Sequence, residues 1–220
     1  MQHLSIVLNN GSFEVHGLPP DSRISIKIDG HQAKQLGDHM LHQTDLEFAD
    51  QCLDAINLVP DDPPAIRQAL WRSAIISVMK CFGANSSRSS LSANKVLKGL
   101  PPEAIIVFDY FKHLRNKYIA HDENAWTQVM TGAALNDGSK EFKVEMVFAV
   151  AALAQTLEQA NYGNLKLLIR AALDYSREQF ELLTEQIKRD LETFSYEELA
   201  KRDPPVYRAP EAHEVSTRRS

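Results

Sequence analysis

Apolar residues recur at intervals of three and four in four segments of the chain, a spacing that places side chains on one face of an α-helix. The segments cover residues 33–58, 63–82, 101–120 and 165–194. Prolines in "VPDDPP" and "GLPPEA" stand where the second and third segments begin, a position that tolerates proline. The third segment carries an apolar stripe of Val107, Phe111, Leu114 and Tyr118. The pattern predicts a mainly α chain built as a bundle of four to five helices.

A different period, the alternation of apolar and polar residues, occupies the first 30 residues. It is present in residues 4–8, 12–16 and 23–28, and the turn-forming sequences "NNG" and "GLPPDS" separate these stretches. We therefore predict a small β-meander of three strands as an N-terminal appendage. It is too small to be stable alone and is expected to pack on the helices.

A β-hairpin is predicted between the third and the last helix. "TQVMTGAAL" and "EFKVEMVFAV" are typical of strands, and residues 136–139, "NDGS", are typical of the turn that joins them. A second interpretation is that "VEMVFAVAALAQTLEQA" is helical, at least from Phe148 onward. We expect the strand first and a helix after it.

The chain thus divides into three predicted regions. They are a β appendage in residues 1–30, a helical domain in residues 31–200 and a tail in residues 201–220. The tail is rich in proline and polar residues, which predicts that it is disordered.

Composition indicates an ordinary cytoplasmic protein. Of the 220 residues, 44% are apolar and 24% charged, and no apolar run approaches the length of a membrane span. The N-terminus lacks the basic start and long apolar stretch of a secretory signal. Cys52 and Cys81 lie in apolar helical patterns, which predicts buried free thiols in a reducing compartment.

Positive charge is concentrated in the middle of the chain. The net charge of −5 argues against a general nucleic-acid binder. Residues 65–120 nevertheless contain nine Lys or Arg and two acids, a net charge of +7, so the rest of the chain carries −12. This basic segment is either a local anion site or a set of solvated helix faces that balance acidic neighbours.

The sequence lacks the patterns that mark several common nucleotide-binding and metal-binding sites. The glycines form neither a P-loop nor a dinucleotide-binding pattern, and the two cysteines lack zinc-site spacing. His39 and His42, in "HMLH", could present two metal ligands on one helix face, but no carboxylate-rich helix nearby completes a site. We predict no metal and no cofactor.

The remaining candidate is "RNKYIAH", in which Arg115 precedes His121 at the end of the third helical segment. Spacing alone is uninformative, because 12 Arg and 8 His produce roughly one Arg-x(4–6)-His match by chance. Arg208 and His213 in the tail form such a match. The Arg115 match differs in that it lies on an amphipathic helix inside the basic segment.

This stretch resembles the signature of the HEPN superfamily of small helical domains, in its abortive-infection branch. Arg115, the polar Asn116 directly after it and His121 match that signature. The resemblance implies a HEPN-like helical bundle, and the N-terminal strands and the hairpin lie outside the family core. It also implies a metal-independent endoribonuclease that acts as a homodimer. Such a protein is plausibly a toxin or phage-defence effector, with a cognate antitoxin as a possible partner.

The chemistry of these residue types is compatible with RNA cleavage without a metal. A histidine side chain ordinarily titrates near neutral pH, so His121 can take or give a proton. Arg115 can hold the scissile phosphate by two hydrogen bonds, and Asn116 can orient either group. Lys112 and Lys117 are expected to attract the RNA backbone, whereas Tyr118 is expected to be core. The products would be a 2′,3′-cyclic phosphate and a 5′-hydroxyl.

Helix geometry sets a condition on this site. Six positions of regular helix place Arg115 and His121 about 120° apart, so they share a face only if the helix ends or bulges between them. One histidine also cannot act as acid and base at once, which favours a second copy across a two-fold axis. The alternative is a non-catalytic helical interaction module. In that case Arg115 pairs with Asp109, Asp122 or Glu123, and His121 caps the helix.

Overall fold

The structure is a computed structural model that describes residues 5–9, 12–22, 24–61, 64–84, 87–121, 123–206 and 211–217. Contacts within the chain divide it into two units. The first contains Met1–Met40, Asn85–Ser89 and Arg177–Ser220, and the second contains Leu41–Ala84 and Ser90–Ser176. The boundaries predicted at residues 30 and 200 stay predictions.

Helices and strands follow one another in an order close to the predicted one. The helices are α1 (His31–Ile56), α2 (Ala65–Phe82), α3 (Ala93–Val96), α4 (Glu103–His113), α5 (Gln159–Leu191) and α6 (Tyr196–Ala200). The strands are β1 (Ser5–Asn9), β2 (Ser12–His16), β3 (Thr127–Leu135) and β4 (Val144–Leu153). A π-helical segment, Leu114–Ile119, follows α4, and a 3₁₀ turn lies at Ala212–Ser216. The prediction of a mainly α chain with two β elements is confirmed.

The N-terminal appendage has two described strands rather than three. β1 pairs antiparallel with β2, from Ser5 opposite His16 to Asn9 opposite Ser12. The predicted third strand, residues 23–28, is wrong for its described part, because residues 24–28 form no ladder. The backbone amide of Lys27 donates instead to the carbonyl of Asp203, at 2.7 Å. The segment is thus bonded to the tail at Lys27 and does not extend the β1–β2 sheet.

Four helices supply the core of the second unit. Its largest fully buried side chains come from α1, α2, α4 and α5, among them Leu53, Ile56, Trp71, Ile75, Phe111, Leu165 and Ile169. The predicted stripe of the third helical segment is confirmed, because Phe111, Leu114 and Tyr118 are buried. Cys52 and Cys81 are buried thiols that form no disulfide, as predicted.

The second hairpin is confirmed, with its first strand as predicted and its second strand displaced toward the C-terminus. β3 pairs antiparallel with β4 from Thr127 opposite Leu153 to Leu135 opposite Val144, with a bulge at the Leu135 end. The second interpretation, a helix from Phe148 onward, is wrong, because β4 runs to Leu153. The expected order of a strand followed by a helix is confirmed, since α5 begins at Gln159. The predicted turn at "NDGS" is supported by local bonds. The amide of Gly138, at φ 84°, donates to the side-chain oxygen of Asn136 at 2.8 Å.

The tail is described for residues 201–206 and 211–217, and Arg208, the arginine of the tail match, lies outside the described residues. His213 lies in the 3₁₀ turn, 3.3 Å from the Glu211 carboxylate. The predicted disorder of the tail stays a prediction. No helix of the described chain is long and apolar enough to cross a membrane.

A buried carboxylate fixes part of the first unit. The side chain of Asp38, in α1, is 1% exposed and accepts hydrogen bonds from Lys34 at 2.8 Å and from Ser89. Both the amide and the hydroxyl of Ser89 donate to it at 3.0 Å. Burial alone raises the pKa of Asp38, but the hydrogen bonds from Lys34 and Ser89 outweigh it and lower the pKa to about 2.

Replacing Asp38 by Asn is expected to lower the free energy of unfolding by about 2 kcal/mol at pH 7. Because the pKa of the folded state lies below the ordinary value of 3.8, this stabilisation is present above about pH 4 and is lost as the pH falls through about 2. The difference between wild type and Asp38→Asn should therefore shrink over that interval. Urea denaturation followed by far-UV circular dichroism at several pH values measures it.

The matched control is Asp61→Asn. Asp61 is 91% exposed and lies 3.1 Å from Arg67, and an exposed ion pair contributes little. Its effect should be small at every pH. A stability difference for Asp38→Asn that stays constant down to pH 2 would contradict the role given to the Asp38 carboxylate.

Candidate functional site

The helix that carries the Arg–His stretch changes its winding inside that stretch. α4 passes directly into the π-helical segment, in which the amide of Ala120 donates to the carbonyl of Arg115, five residues earlier, at 2.9 Å. The helix ends there, and His121 lies in the loop that follows. A shared face for Arg115 and His121 requires that the helix either bulge or end between them, and the chain does both. Short π-helical turns are often found at functional sites.

Tyr118 anchors the inner side of the π-helical segment. Its hydroxyl donates to the carbonyl of Ala154, just after β4, at 2.7 Å. Its ring meets the edge of the Trp126 ring at a centroid distance of 6.0 Å. The prediction that Tyr118 is core is confirmed, since its side chain is buried. The π-helical segment is thus fixed to the base of the second hairpin.

Polar residues cover the outer side of the same segment. The side chains of Arg115, Lys117 and His121 are exposed, and that of Asn116 is partly buried. The Arg115 guanidinium donates to the Asn116 side-chain oxygen at 2.9 Å. Within the described residues no ion pair joins Arg115 to Asp109 or Glu123, and Asp122, the third predicted partner, lies outside them. A neutral acceptor orients the guanidinium without cancelling its charge, which suits an anionic ligand.

A second contact folds the loop after the helix back on the segment. The amide of Glu123 donates to the carbonyl of Lys117 at 2.9 Å, and the side chains of these two residues form an ion pair. The hydrogen bond from Lys117 lowers the pKa of Glu123, and its charge and that of His121 add to the effect. His121 therefore lies close enough to the Glu123 carboxylate to influence it. Because the Lys117–Glu123 pair is exposed and weak, a phosphate could compete for Lys117.

The predicted site residues fall into two sets. Arg115 bonds to Asn116, and Lys117 pairs with Glu123, whose pKa the charge of His121 helps to lower. Among the described residues no hydrogen bond or ion pair joins one set to the other. Lys112 is exposed on the last turn of α4.

Arg72 is a residue of this region that sequence reasoning missed. It is exposed on α2, and its guanidinium carbon lies 5.8 Å from the centre of the Tyr118 ring. A guanidinium over an aromatic face is a favourable cation–π contact. Arg72 belonged to the basic segment of the sequence, but no local pattern could indicate that α2 contacts the π-helical segment.

Two other features lie apart from this region. A cavity of about 390 Å³ is lined by residues of α4 and α5, Val107 and Leu168 among them, and its lining includes none of the Arg–His residues. His42 is buried and His39 is partly buried, and no group of three or more possible ligands in the described chain could hold a metal ion.

The geometry provides a proton carrier and a phosphate-binding cation on one exposed helix end. His121 can transfer one proton, and Arg115, held by Asn116, can bind two oxygens of a phosphate. A single chain offers one copy of each group.

A scan of protein-family models, a search of curated proteins and a search of solved structures each found no match to this chain.

Proposed function

We propose that this protein is a cytoplasmic, metal-independent endoribonuclease of the HEPN type that acts as a homodimer. The observation that carries the proposal is the π-helical end of the helix at residues 114–119. This segment interrupts the regular helix between Arg115 and His121 and leaves both side chains exposed. On its buried side it is attached to the hairpin base by the hydrogen bond from Tyr118 to Ala154.

The proposed reaction is transfer of the phosphodiester to the neighbouring 2′-oxygen. The 2′-hydroxyl gives its proton to a base and attacks phosphorus, so that a new P–O2′ bond forms. The P–O5′ bond breaks, and an acid gives a proton to the leaving 5′-oxygen. His121 of one copy and His121 of the other supply base and acid, and Arg115 stabilises the charge that develops on the phosphorane.

Lys112, Lys117 and Arg72 would attract the RNA backbone around that centre. All three are exposed, Arg72 lies over the Tyr118 ring, and Lys117 directly precedes Tyr118 in the chain. Such phosphate contacts position a nucleic acid without reading its sequence. The proposed role is that of a toxin or phage-defence effector, and a cognate antitoxin would be its natural regulator.

The proposal is tested with purified full-length protein and a labelled single-stranded RNA in excess EDTA. We expect cleavage that persists in EDTA and 5′ ends that polynucleotide kinase phosphorylates without prior dephosphorylation. The 3′ ends should carry a 2′,3′-cyclic phosphate. The matched substrate has the same sequence with 2′-O-methyl groups throughout and should stay intact, because its nucleophile is blocked.

Two results would contradict the proposal. One is cleavage that EDTA abolishes or that leaves 5′-phosphate ends, since both indicate a metal-activated water. The other is an absence of cleavage over a range of RNA sequences. The second outcome favours a non-catalytic helical interaction module, which the exposed apolar surface of the second hairpin would suit.

A further inference from the structure

The second hairpin is an apolar ribbon that the described chain leaves uncovered. Glu145 is the one charged residue among the residues of β3 and β4, and its carboxylate lies 2.6 Å from the Lys140 ammonium. Every residue of β4 is exposed. Alternation of apolar and polar residues, which allows one face of a hairpin to meet water, is missing from β4.

The register separates two faces of different shape. On one face Met130 lies opposite Val150, Gly132 opposite Phe148 and Ala134 opposite Met146. We call this the bulky face. The other, the flat face, combines Thr and Ala with the exposed Val129, Val147 and Leu153, and Val129 lies opposite Ala151. It carries neither methionine nor an aromatic ring, which distinguishes it from the bulky face.

The bulky face has a defined relief. A Cβ built on Gly132 would lie 2.5 Å from Cζ of Phe148, so the Phe148 ring covers the glycine directly. Around it Met130 is 55% exposed, Met146 56%, Phe148 40% and Val150 50%. Aromatic and methionine side chains in such a cluster are typical of the centre of protein interfaces.

A hairpin of this kind is unfavourable when left in water. A two-stranded ribbon is marginally stable alone, and its two open edges lack the lysines and prolines that usually prevent pairing with another chain. From these exposures the four side chains have roughly 400 Å² of accessible surface, within the range of the largest apolar patches on monomers. Two copies packed together would bury on the order of 800 Å², at the low end of interface sizes, so close packing rather than area must supply the affinity.

We propose that the bulky face of the second hairpin is the surface through which two copies of this chain associate. A chain with a net charge of −5 repels itself, so self-association requires an uncharged contact. The bulky face offers one, and its relief of Met130 and Phe148 beside the small Gly132 and Ala134 can interlock with itself across a two-fold axis. Contacts of this kind use the same patch on both partners.

The position of the hairpin connects this dimer to the candidate site. Tyr118 donates to the carbonyl of Ala154, and the amide of Ala154 donates to the carbonyl of Trp126 at 3.0 Å. The base of the hairpin and the π-helical segment are therefore held together. The role of this dimer in catalysis rests on the proposed ribonuclease, which needs a second copy of His121. The dimer itself can be measured whether or not the protein cleaves RNA.

The test compares the molecular mass in solution of the wild type with that of a variant that carries a charged pair on the bulky face. Met130→Lys with Val150→Glu places opposite charges directly across the ladder, which maintains pairing within the hairpin while charging the bulky face. By light scattering after gel filtration we expect wild type at twice the 24.8 kDa of the chain and the variant as a monomer. The dissociation constant should rise at least about 100-fold.

The matched control, Val129→Lys with Ala151→Glu, puts the same pair on the flat face and should remain dimeric. A wild type that is monomeric at high concentration, or a bulky-face variant that stays dimeric, overturns the inference. RNA cleavage measured on the same samples separates the two proposals. A dimeric wild type without cleavage retains the interface and excludes the ribonuclease. A bulky-face variant that stays dimeric and cleaves RNA excludes the interface and retains the ribonuclease.

Discussion

Replacing His121 by Ala is expected to reduce RNA cleavage by about 10²–10⁴-fold, the usual contribution of a positioned acid or base. In the proposed dimer one substitution removes both the base and the acid, because each copy supplies one of them. Arg115→Ala should cost about 10²–10³-fold, since it removes charge stabilisation of the phosphorane. Arg115→Lys should not restore full activity, because an ammonium cannot make the two parallel hydrogen bonds of a guanidinium. Initial rates on the labelled RNA measure all three.

Two histidines serve as controls for His121. His113 is the last residue of α4 and is exposed. His213 is the histidine of the tail match with Arg208. Their Ala variants should cleave at the wild-type rate. Because Arg115 and His121 are exposed, their variants should unfold at the wild-type urea concentration. Equal cleavage by His121→Ala and wild type would exclude His121 from the chemistry, and a large loss of stability would make its role structural.

Much of the helical part of the fold could be predicted because its signal is local. Phe111, Leu114 and Tyr118 are spaced for one helix face, and that face is buried. The prolines of "GLPPEA" likewise predicted the start of α4, and the glycine of "NDGS" predicted the turn at Gly138. In these segments the pattern of a few neighbouring residues already decides the structure.

The errors fall where distant pairing decides the structure. Residues 144–153 are apolar at nearly every position, so their sequence is compatible with helix and strand alike. Pairing with β3 selects the strand and carries it to Leu153. Residues 24–28 alternate as a strand does, but the partner of Lys27 is the carbonyl of Asp203, which lies far along the chain.

The candidate site was predictable in its residues but not in its geometry. The sequence indicated Arg115, Asn116 and His121, and required a break in the helix without locating it. The π-helical winding has no local sequence signature, because it depends on Leu114 and Tyr118 reaching the core while the helix ends at Ala120. The approach of Arg72 to the Tyr118 ring depends on the packing of α2, which composition cannot supply.

Trp71→Ala is expected to have the largest effect on stability, with a loss of about 3–5 kcal/mol from the free energy of unfolding. Trp71 is fully buried in α2, and its ring meets the Phe111 ring edge-on at 6.0 Å. Its indole N–H donates to the hydroxyl of Thr156 at 2.9 Å, and Thr156 is itself buried. The substitution leaves a cavity and an unpaired hydroxyl, and such losses approach the whole stability of many domains. Urea denaturation followed by far-UV circular dichroism measures the change.

Trp71→Phe keeps the measurement possible if the Ala variant does not fold. It preserves most of the ring contact, removes the hydrogen bond to Thr156 and should cost about 1–2 kcal/mol. Trp126→Ala is the matched control, because that ring is 38% exposed and touches Tyr110 and Tyr118 only at the edge of the core. It should cost less than half as much as Trp71→Ala. Equal losses at the two tryptophans would show that the stability of this unit is not centred on α2.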